Sequence, residues 1–292
     1  MGVNKEALGL LALARASGAD FSRVIQIGRH GLDDKVASSA EHFLRERGRD
    51  DLASQFIAAP RDGYCEPLLK IAFGASVVQS IDASNYENAD IIHDMNAPIE
   101  VAEPYSVVID FGTLEHVFNV PVAFDNIAKL AARDAFILHM LPSNNFVGHG
   151  FYQFSPELFF QIYSPERGYS GTRVFAAPGG TPDIWYEVRA PRELHRRVDI
   201  TSRDQVHVMV ITQKVGDPVP LTQTPVQQSD YVETWDRGQL GVGKERRRGQ
   251  FERMVRDSLH GVRHLRKVGR KDLRRARGDL VVRHLRELVP TF

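Results

Sequence analysis

The chain has 292 residues, of which 42% are hydrophobic and 25% are charged, and its formal net charge at pH 7 is zero. This composition excludes a globally disordered chain, and the length suits one large domain or two smaller ones. The single cysteine, Cys65, cannot pair within the chain or join a cysteine cluster for zinc, which favours a reducing compartment. The apolar runs are far shorter than the roughly 18 residues that span a bilayer. With no signal-peptide pattern, these features predict a soluble, cytoplasmic protein.

Helical and strand-like segments alternate along the first 215 residues. In chain order they are a helix at 4–16, a strand at 23–27, a helix at 33–48, strands at 76–81, 90–93 and 105–111, a helix at 120–132, a strand at 135–141 and a helix at 156–163. The strand-like runs are nearly continuous in hydrophobicity, as is typical of parallel strands covered on both faces. This order predicts a doubly wound, mostly parallel α/β sheet, and residues 173–176 and 206–212 add an antiparallel pair at its edge.

The charge is distributed asymmetrically between the body of the chain and its end. Residues 244–292 carry 16 Lys and Arg against 6 Asp and Glu, a net charge of +10, whereas residues 1–243 carry −10. Residues 216–243 begin with a segment rich in Pro, Thr and Gln that is typical of a connection. We therefore predict an α/β domain at 1–215, a connecting segment at 216–243 and a basic helical tail at 244–292.

The crossover between the first two strands is long. Gly31 and Asp82 are 51 positions apart, whereas a complete βαβ unit needs about 30 residues. An inserted element near residues 50–73 is therefore expected beside or over the carboxyl edge of the sheet. It would form a lid or obstruct a ligand there.

Small and polar residues follow five of the apolar runs, at 28–31, 82–84, 94–96, 112–116 and 142–152. Ligands bind outside the carboxyl ends of strands in open α/β sheets, so these residues predict a site for a nucleoside-type cofactor. Gly28 would let the backbone approach the ligand closely, and Asp82 would accept hydrogen bonds from both ribose hydroxyls. The alternatives are an ordinary strand-to-helix turn for Gly28 and Gly31 and a helix N-cap for Asp82.

Five motifs in order, IQIGRHG (25–31), SIDAS (80–84), IIHDMN (91–96), VVIDFGTLEHVFN (107–119) and AFILHMLPSNN (135–145), resemble the class I S-adenosylmethionine-dependent methyltransferases. The resemblance covers residues 20–215 and implies a Rossmann-like methyltransferase fold with S-adenosylmethionine as cofactor. It implies that the glycine-rich loop holds the methionine part, that Asp82 binds the ribose and that Asp94 lies near the adenine. The cofactor-binding residues implied are Gly28, Gly31, Asp82, Asp94, Gly112, Leu114 and Glu115. The segment GHGFYQFSPELFF (148–160) looks like one found in a little-characterised bacterial branch of this family.

The first motif departs from the family pattern. Gln26 stands where the family has an acidic residue, and Arg29 and His30 replace small residues. Arg29 would place a positive charge near the cofactor's sulfonium unless its side chain points away. These departures motivate an alternative function, a catalytically inactive methyltransferase-like protein that serves in binding or scaffolding. A nicotinamide-dependent enzyme is a third hypothesis, disfavoured because GxGxxG is absent.

Histidines supply the candidate catalytic groups. For transfer to an oxygen of a small molecule or glycan, a general base with a pKa near neutrality is useful, and His149 and His116 both follow strands. The alternatives are that His149 hydrogen-bonds its own loop and that His116 packs under the sheet. Phe151 and Tyr152 could wall an acceptor pocket. The spacing of His, Cys and acidic residues matches no metal motif, so no metal is predicted.

The basic tail is a separate element with its own candidate partners. Apolar residues from Leu259 to Leu280 recur at helical spacing, and arginine clusters lie at 246–248 and 270–277. The partners considered are the acidic body of the chain, an acidic protein and an anionic membrane surface. Nucleic acid is not favoured, because the tail lacks aromatic interleaving.

Overall fold

Nine strands of this chain form one mixed sheet in the computed structural model, which describes residues 2–32, 34–60, 62–232, 235, 274–275 and 279–289. The first half contains α1 (Lys5–Ala16), β1 (Arg23–Ile27), α2 (Asp34–Glu46), α3 (Asp50–Ala58), α4 (Glu66–Phe73), β2 (Val77–Asp82), β3 (Ile91–Ile92), β4 (Tyr105–Asp110), α5 (Val120–Leu130) and β5 (Ala131–Asn144). The second half contains α6 (Pro156–Ile162), β6 (Tyr169–Pro178), β7 (Ile184–Val188), α7 (Pro191–Leu194), β8 (Ile200–Thr201), β9 (Val206–Lys214), β10 (Arg274–Arg275), β11 (Leu280–His284) and α8 (Leu285–Leu288). Short 3-10 helices lie at Leu114–His116 and Pro165–Arg167.

The strand order is β11-β7-β6-β9-β5-β4-β1-β2-β3. The five strands from β3 to β5 pair in parallel, and β9, β6, β7 and β11 continue the sheet in antiparallel pairs. The predicted doubly wound α/β class is confirmed, and so is the antiparallel pairing of the late strands at 173–176 and 206–212. Their predicted place at the edge of the sheet was wrong, because β7 and β11 extend the sheet beyond them. The order reverses at β1, which places a ligand-binding crevice beside the carboxyl ends of β1 and β4.

Apolar residues on the two faces of the sheet form two separate cores, because neighbouring strand residues point to opposite faces. Val107 and Ile109 of β4 pack with α1 to α4, whereas Val108 packs with α5 and α6 on the other face. The predicted inserted segment folds as α3 and α4 and belongs to the first core. It thus lies on one face of the sheet beside the crevice.

The end of the chain differs from the helix that the sequence predicts. Leu280–His284 form β11, which pairs with the edge strand β7 in antiparallel register. The β-branched residues Val281 and Val282 suit a strand, and β7 offers unpaired backbone groups to it. Most other residues of the predicted tail, including the arginines at 246–248, lie outside the described residues. Over the part of the chain that the structure describes, no helix combines the length and the apolar character that membrane crossing requires.

Candidate functional site

A cavity of about 310 Å³ opens at the carboxyl ends of β1, β2, β3 and β4. This volume is at the lower end of the range for small-ligand sites, about 300–1,000 Å³. Its walls come from four loops that the sequence predicted to meet there. The lining residues are Gly28, Arg29, His30, Ile81, Asp82, Ala83, Glu87, His93, Asp94, Met95, Asn96, Gly112, Thr113, His116 and Val117.

Bare backbone at Gly28 forms part of the cavity wall. Its φ of 77° favours glycine, and its N–H donates to the carbonyl of Ile81 over 2.7 Å. A Cβ at this position would lie 2.5 Å from Oγ1 of Thr113. That hydroxyl in turn donates to the carbonyl of Ile27 over 2.6 Å, so it is held in place. A side chain at residue 28 would therefore collide with Thr113.

Two carboxylates, Asp82 and Asp94, line the cavity at the ends of β2 and β3. Asp82 accepts the backbone N–H of Ser84 over 3.2 Å through one oxygen. Asp94 accepts the backbone N–H and the side-chain amide of Asn96, and these hydrogen bonds hold its pKa below the usual value. Both carboxyl groups line the cavity and can accept hydrogen bonds from a ligand.

Three residues of the predicted cofactor set do not line this cavity: Gly31, Leu114 and Glu115. The carbonyl of Gly31 accepts the N–H of Val3 over 2.8 Å, and a Cβ on Gly2 would collide with that same oxygen, so the two segments are in close contact. Leu114 and Glu115 lie in the 3-10 helix that follows β4, and both are fully buried. Their predicted contacts with a cofactor remain predictions.

The Arg29 guanidinium is held by acids of the α3–α4 segment. Its Nε donates to Glu66 over 2.8 Å and one Nη donates to Asp62 over 2.9 Å, while the guanidinium lies 3.7 Å from the centre of the Tyr64 ring. The other Nη donates to the carbonyl of Glu87 over 3.0 Å. The cavity beside it is open, so Arg29 forms a wall and its charge is paired with two carboxylates. The sequence predicted a positive charge from Arg29 near the cofactor, but it did not predict the pairing with Asp62 and Glu66, which lie more than 30 positions along the chain.

Gln26 is buried and turned toward the first loop. Its side-chain oxygen accepts the backbone N–H of His30 over 3.2 Å and the thiol of Cys65 over 3.0 Å. Its amide lies 3.5 Å from the Glu66 carboxylate. The neutral Gln26 thus fixes the loop, and Glu66 supplies a carboxylate from α4 close to it.

A buried polar chain fixes the turn that follows β4. One oxygen of Asp110 accepts the N–H groups of Thr113 and Leu114 over 3.1 and 3.4 Å. The other lies 2.8 Å from Nδ1 of His139, and Nε2 of that ring lies 2.6 Å from the Tyr163 hydroxyl. All three side chains are buried. These hydrogen bonds orient the 3-10 helix that carries Glu115 and His116.

His116 and His149, both predicted as catalytic, meet at the edge of the cavity. Their ring centroids are 5.2 Å apart, and His116 lines the cavity. Nε2 of His149 lies 3.5 Å and Nε2 of His116 lies 3.8 Å from Oε1 of Glu115. The side chain of His116 is half-exposed, so it does not pack under the sheet, and Nε2 of His149 has no hydrogen-bond partner among the described residues. The sequence placed Glu115 and both histidines at this edge, but it assigned Glu115 to the cofactor and did not predict its contact with the two histidines.

Glu115 has an unusual environment for an acidic side chain. Its side chain has no exposed surface, and neither carboxylate oxygen has a hydrogen-bond partner within the described part of the chain. Burial, together with the charge of Asp110, raises the pKa of Glu115 to about 8. Burial and the neighbouring His149 lower the pKa of His116. Such perturbed groups beside a cavity are typical of functional sites.

Aromatic side chains stand exposed next to the histidines. Phe118 and Phe151 are 72% and 68% exposed and contact each other edge to face, with centroids 6.1 Å apart. The Tyr152 hydroxyl donates to the carbonyl of Phe118 over 2.8 Å and ties the two loops together. Exposed apolar groups clustered beside a cavity are typical of a ligand-binding surface.

Comparisons with known proteins give similar structures but no sequence family. No family model matches the chain, and no curated protein matches it. N-methyltransferase NodS from Bradyrhizobium japonicum WM9, in complex with S-adenosyl-L-homocysteine, is 13% identical with a TM-score of 0.38 over 73% of this chain and 89% of NodS. A putative methyltransferase from Bacillus halodurans is 10% identical with a TM-score of 0.36 over 71% of this chain and 99% of that protein. TehB from Haemophilus influenzae is 11% identical with a TM-score of 0.34, and the match spans 71% of this chain but 61% of TehB. At these identities and TM-scores the comparisons alone assign no activity to the chain.

Proposed function

We propose that this protein is an S-adenosylmethionine-dependent methyltransferase that methylates a small molecule or glycan, at an oxygen atom. The observation that carries the proposal is the cavity at the carboxyl ends of β1 to β4, with bare backbone at Gly28 and a carboxylate, Asp82, at the end of β2. In a parallel sheet, that combination suits a ligand containing a ribose.

The residues around the cavity fit the cofactor by their chemistry. Main-chain groups at Gly28 and Gly112 can approach the methionine part closely, because neither carries a side chain. Asp82 can accept hydrogen bonds from ribose hydroxyls, and Asp94 can accept one from an exocyclic amine. When bound, the cofactor would supply an electrophilic methyl group.

The partners of Arg29 favour an active protein over the inactive alternative. A free guanidinium at this wall would repel a sulfonium cation. Here Glu66 and Asp62 pair with it, and the side chain leaves the cavity open. The charge of Arg29, one of the sequence features that motivated the inactive alternative, is therefore compensated by the inserted segment.

The acceptor would bind on the side of His116 and His149. Exposed rings of Phe118 and Phe151 can pack against a flat ligand or the apolar face of a sugar. The histidines and Glu115 would handle the acceptor's proton, either with a histidine as base or through a bound cation that binds the acceptor oxygen. Both routes assign the acceptor chemistry to the same three residues.

Calorimetry with S-adenosylmethionine and S-adenosyl-L-homocysteine tests the proposal. We expect binding of both at micromolar concentrations, and we expect Asp82→Ala to weaken it by about tenfold or more, the loss of about 1.5 kcal/mol from charge-assisted hydrogen bonds. Asp34→Ala, an exposed acid on α2, is the matched control and should bind as the parent does.

The other hypotheses give different outcomes in the same experiment. Absence of binding to either compound would favour a binding or scaffolding protein that has lost transfer activity. Tighter binding of NAD than of either methionine compound would favour a nicotinamide-dependent enzyme.

A further inference from the structure

Three side chains that can ligate a metal converge where the turn after β4 meets the loop after β5. They are Glu115, His116 and His149, and each offers one ligand atom within 4.8 Å of the others. Two of the separations are shorter, 3.5 and 3.8 Å from the Glu115 oxygen to the histidine nitrogens. Two imidazoles and one carboxylate form a donor set that binds divalent transition metals in many proteins.

The surrounding structure holds these donors together. Phe151 donates its N–H to the carbonyl of Glu115 over 2.7 Å, which fastens the loop to the turn. Gly150 has a φ of 73°, and a Cβ there would lie 2.8 Å from both Cγ and the carbonyl oxygen of Glu115. Glycine at residue 150 thus lets the loop approach closely enough for His149 to face the carboxylate.

Glu115 lacks the partners that a buried carboxylate normally has. Its side chain is fully buried and both oxygens are without a hydrogen bond within the described residues, as is Nε2 of His149. Leaving a buried acceptor unsatisfied costs free energy, and such groups are usually paired with a donor, a cation or a metal. A cation between Glu115 and the histidine nitrogens would satisfy these atoms at once.

We propose that Glu115, His116 and His149 together bind one divalent transition-metal ion at the edge of the cavity. In a tetrahedral site with bonds of about 2.1 Å, ligand atoms are roughly 3.4 Å apart. The observed separations need to contract by less than about 1.5 Å, which small rotations of the half-exposed histidine rings supply. Three protein ligands leave at least one position open to water or substrate.

The open position gives the ion a role at the acceptor. His116 lines the cavity, so an ion bound to it would lie at the edge of the cavity, and the exposed Phe118 and Phe151 each follow one of the two histidines by two residues. A bound divalent ion lowers the pKa of an oxygen ligand such as an alcohol or water. This role rests on the proposed methyl transfer, whereas ion binding itself does not.

Metal titration of the full chain tests the site directly. The protein is stripped with a chelator, returned to chelator-free buffer and titrated with Co²⁺ while its visible absorption is followed, and with Zn²⁺ by calorimetry. We expect one ion per chain, and about 100-fold weaker binding in Glu115→Gln and in His149→Ala, since each removes a direct ligand. His42→Ala is the control: His42 lies 3.2 Å from Glu46 on the exposed face of α2, an ordinary histidine–carboxylate pair. Its loss should not change the affinity.

The variants also separate loss of a ligand from loss of the fold. Thermal unfolding of each metal-free variant shows whether it folds. Because the side chain of His149 is half-exposed, His149→Ala should remain folded and test the site even if Glu115→Gln is unstable. The proposal is overturned if the parent takes up no more Co²⁺ than a Glu115→Gln/His149→Ala double variant, or if both single variants bind as the parent does. Cofactor calorimetry on the stripped protein is an independent test. If Co²⁺ binds but neither S-adenosylmethionine nor S-adenosyl-L-homocysteine does, the metal site stands and the proposed methyltransferase activity fails.

Discussion

At residue 150 the backbone adopts a conformation that only glycine adopts readily, directly against the backbone of another segment. Its φ is 73°, and the carbonyl oxygen of Glu115 would stand 2.8 Å from an added Cβ. Gly148, two residues earlier, has a similar φ of 86° but has nothing within 4 Å of its Cβ position. Substitutions at Gly148 and Gly150 can therefore separate the free-energy cost of the backbone conformation from the cost of the close contact with Glu115.

Replacing each glycine by alanine should show this difference. Gly148→Ala should lower the free energy of unfolding by about 1 kcal/mol, the cost of a left-handed conformation. Gly150→Ala should cost about 1–3 kcal/mol more, because the loop must also move away from Glu115. Urea denaturation of both variants measures the two values. Equal costs would mean that the contact between the loop and the turn after β4 is not close in solution.

At the scale of elements, the α3–α4 segment supplies negative charge to the loop after β1, more than 30 residues earlier in the chain. Glu66, at the start of α4, accepts hydrogen bonds from Arg29 and lies beside Gln26. Its side chain is 14% exposed, so its charge is only partly screened by water. The segment lines no part of the cavity, yet it determines how much positive charge the cavity wall presents.

Removing that charge should discriminate between two ligands that differ mainly at sulfur. Glu66→Gln keeps an oxygen for Arg29 but leaves the guanidinium less compensated. We expect affinity for the cationic S-adenosylmethionine to fall by roughly threefold to tenfold relative to S-adenosyl-L-homocysteine, which is neutral at sulfur. Calorimetry with both ligands gives the ratio. Asp51→Asn, which removes an exposed acid of α3 paired with Arg49, should leave the ratio of the two affinities unchanged. If Glu66→Gln also leaves the ratio unchanged, the charge of Glu66 does not influence cofactor binding.

Elements with a strong local pattern could be predicted from the sequence, whereas elements that depend on a distant partner could not. The apolar runs of β1, β2, β4 and β5 gave the parallel half of the sheet, since burial on both faces leaves a continuous hydrophobic signature. The helix prediction was wrong at Leu280–His284, because the free edge of β7 decides the conformation there. Apolar spacing alone does not show a vacant edge.

For the candidate site too, residues placed by the strands could be predicted, whereas a contact between distant loops could not. Asp82 ends a strand and Gly28, Asp94 and Gly112 follow one, so the parallel sheet alone brings the four residues to one cavity. The grouping of Glu115 with His149 depends on a loop contact made across more than 30 positions of sequence. No fixed spacing encodes that contact, which is why the sequence predicted no metal site.

For the whole molecule, the end of the chain completes the sheet and covers the start of the chain. β11 pairs with β7, and Arg283 donates to Glu187 over 2.6 Å. Asp279 is fully buried and forms an ion pair with Arg196. Leu285 joins the same core as α1 and Trp185, where a Cβ on Gly9 would lie 2.9 Å from the leucine side chain. The described end of the tail is thus packed on the body of the protein.

This packing predicts that residues 279–289 unfold together with the α/β domain. Leu285→Ala should lower the free energy of unfolding by about 2–5 kcal/mol, the usual cost of emptying a buried leucine site. Arg286→Ala, the exposed neighbour on α8, should change it by less than about 0.5 kcal/mol. In both variants, denaturation followed by tryptophan fluorescence and by circular dichroism should give one coincident transition, with a lower midpoint for Leu285→Ala. A separate early transition, or equal midpoints in the two variants, would show that the end of the chain is not part of the domain's cooperative core.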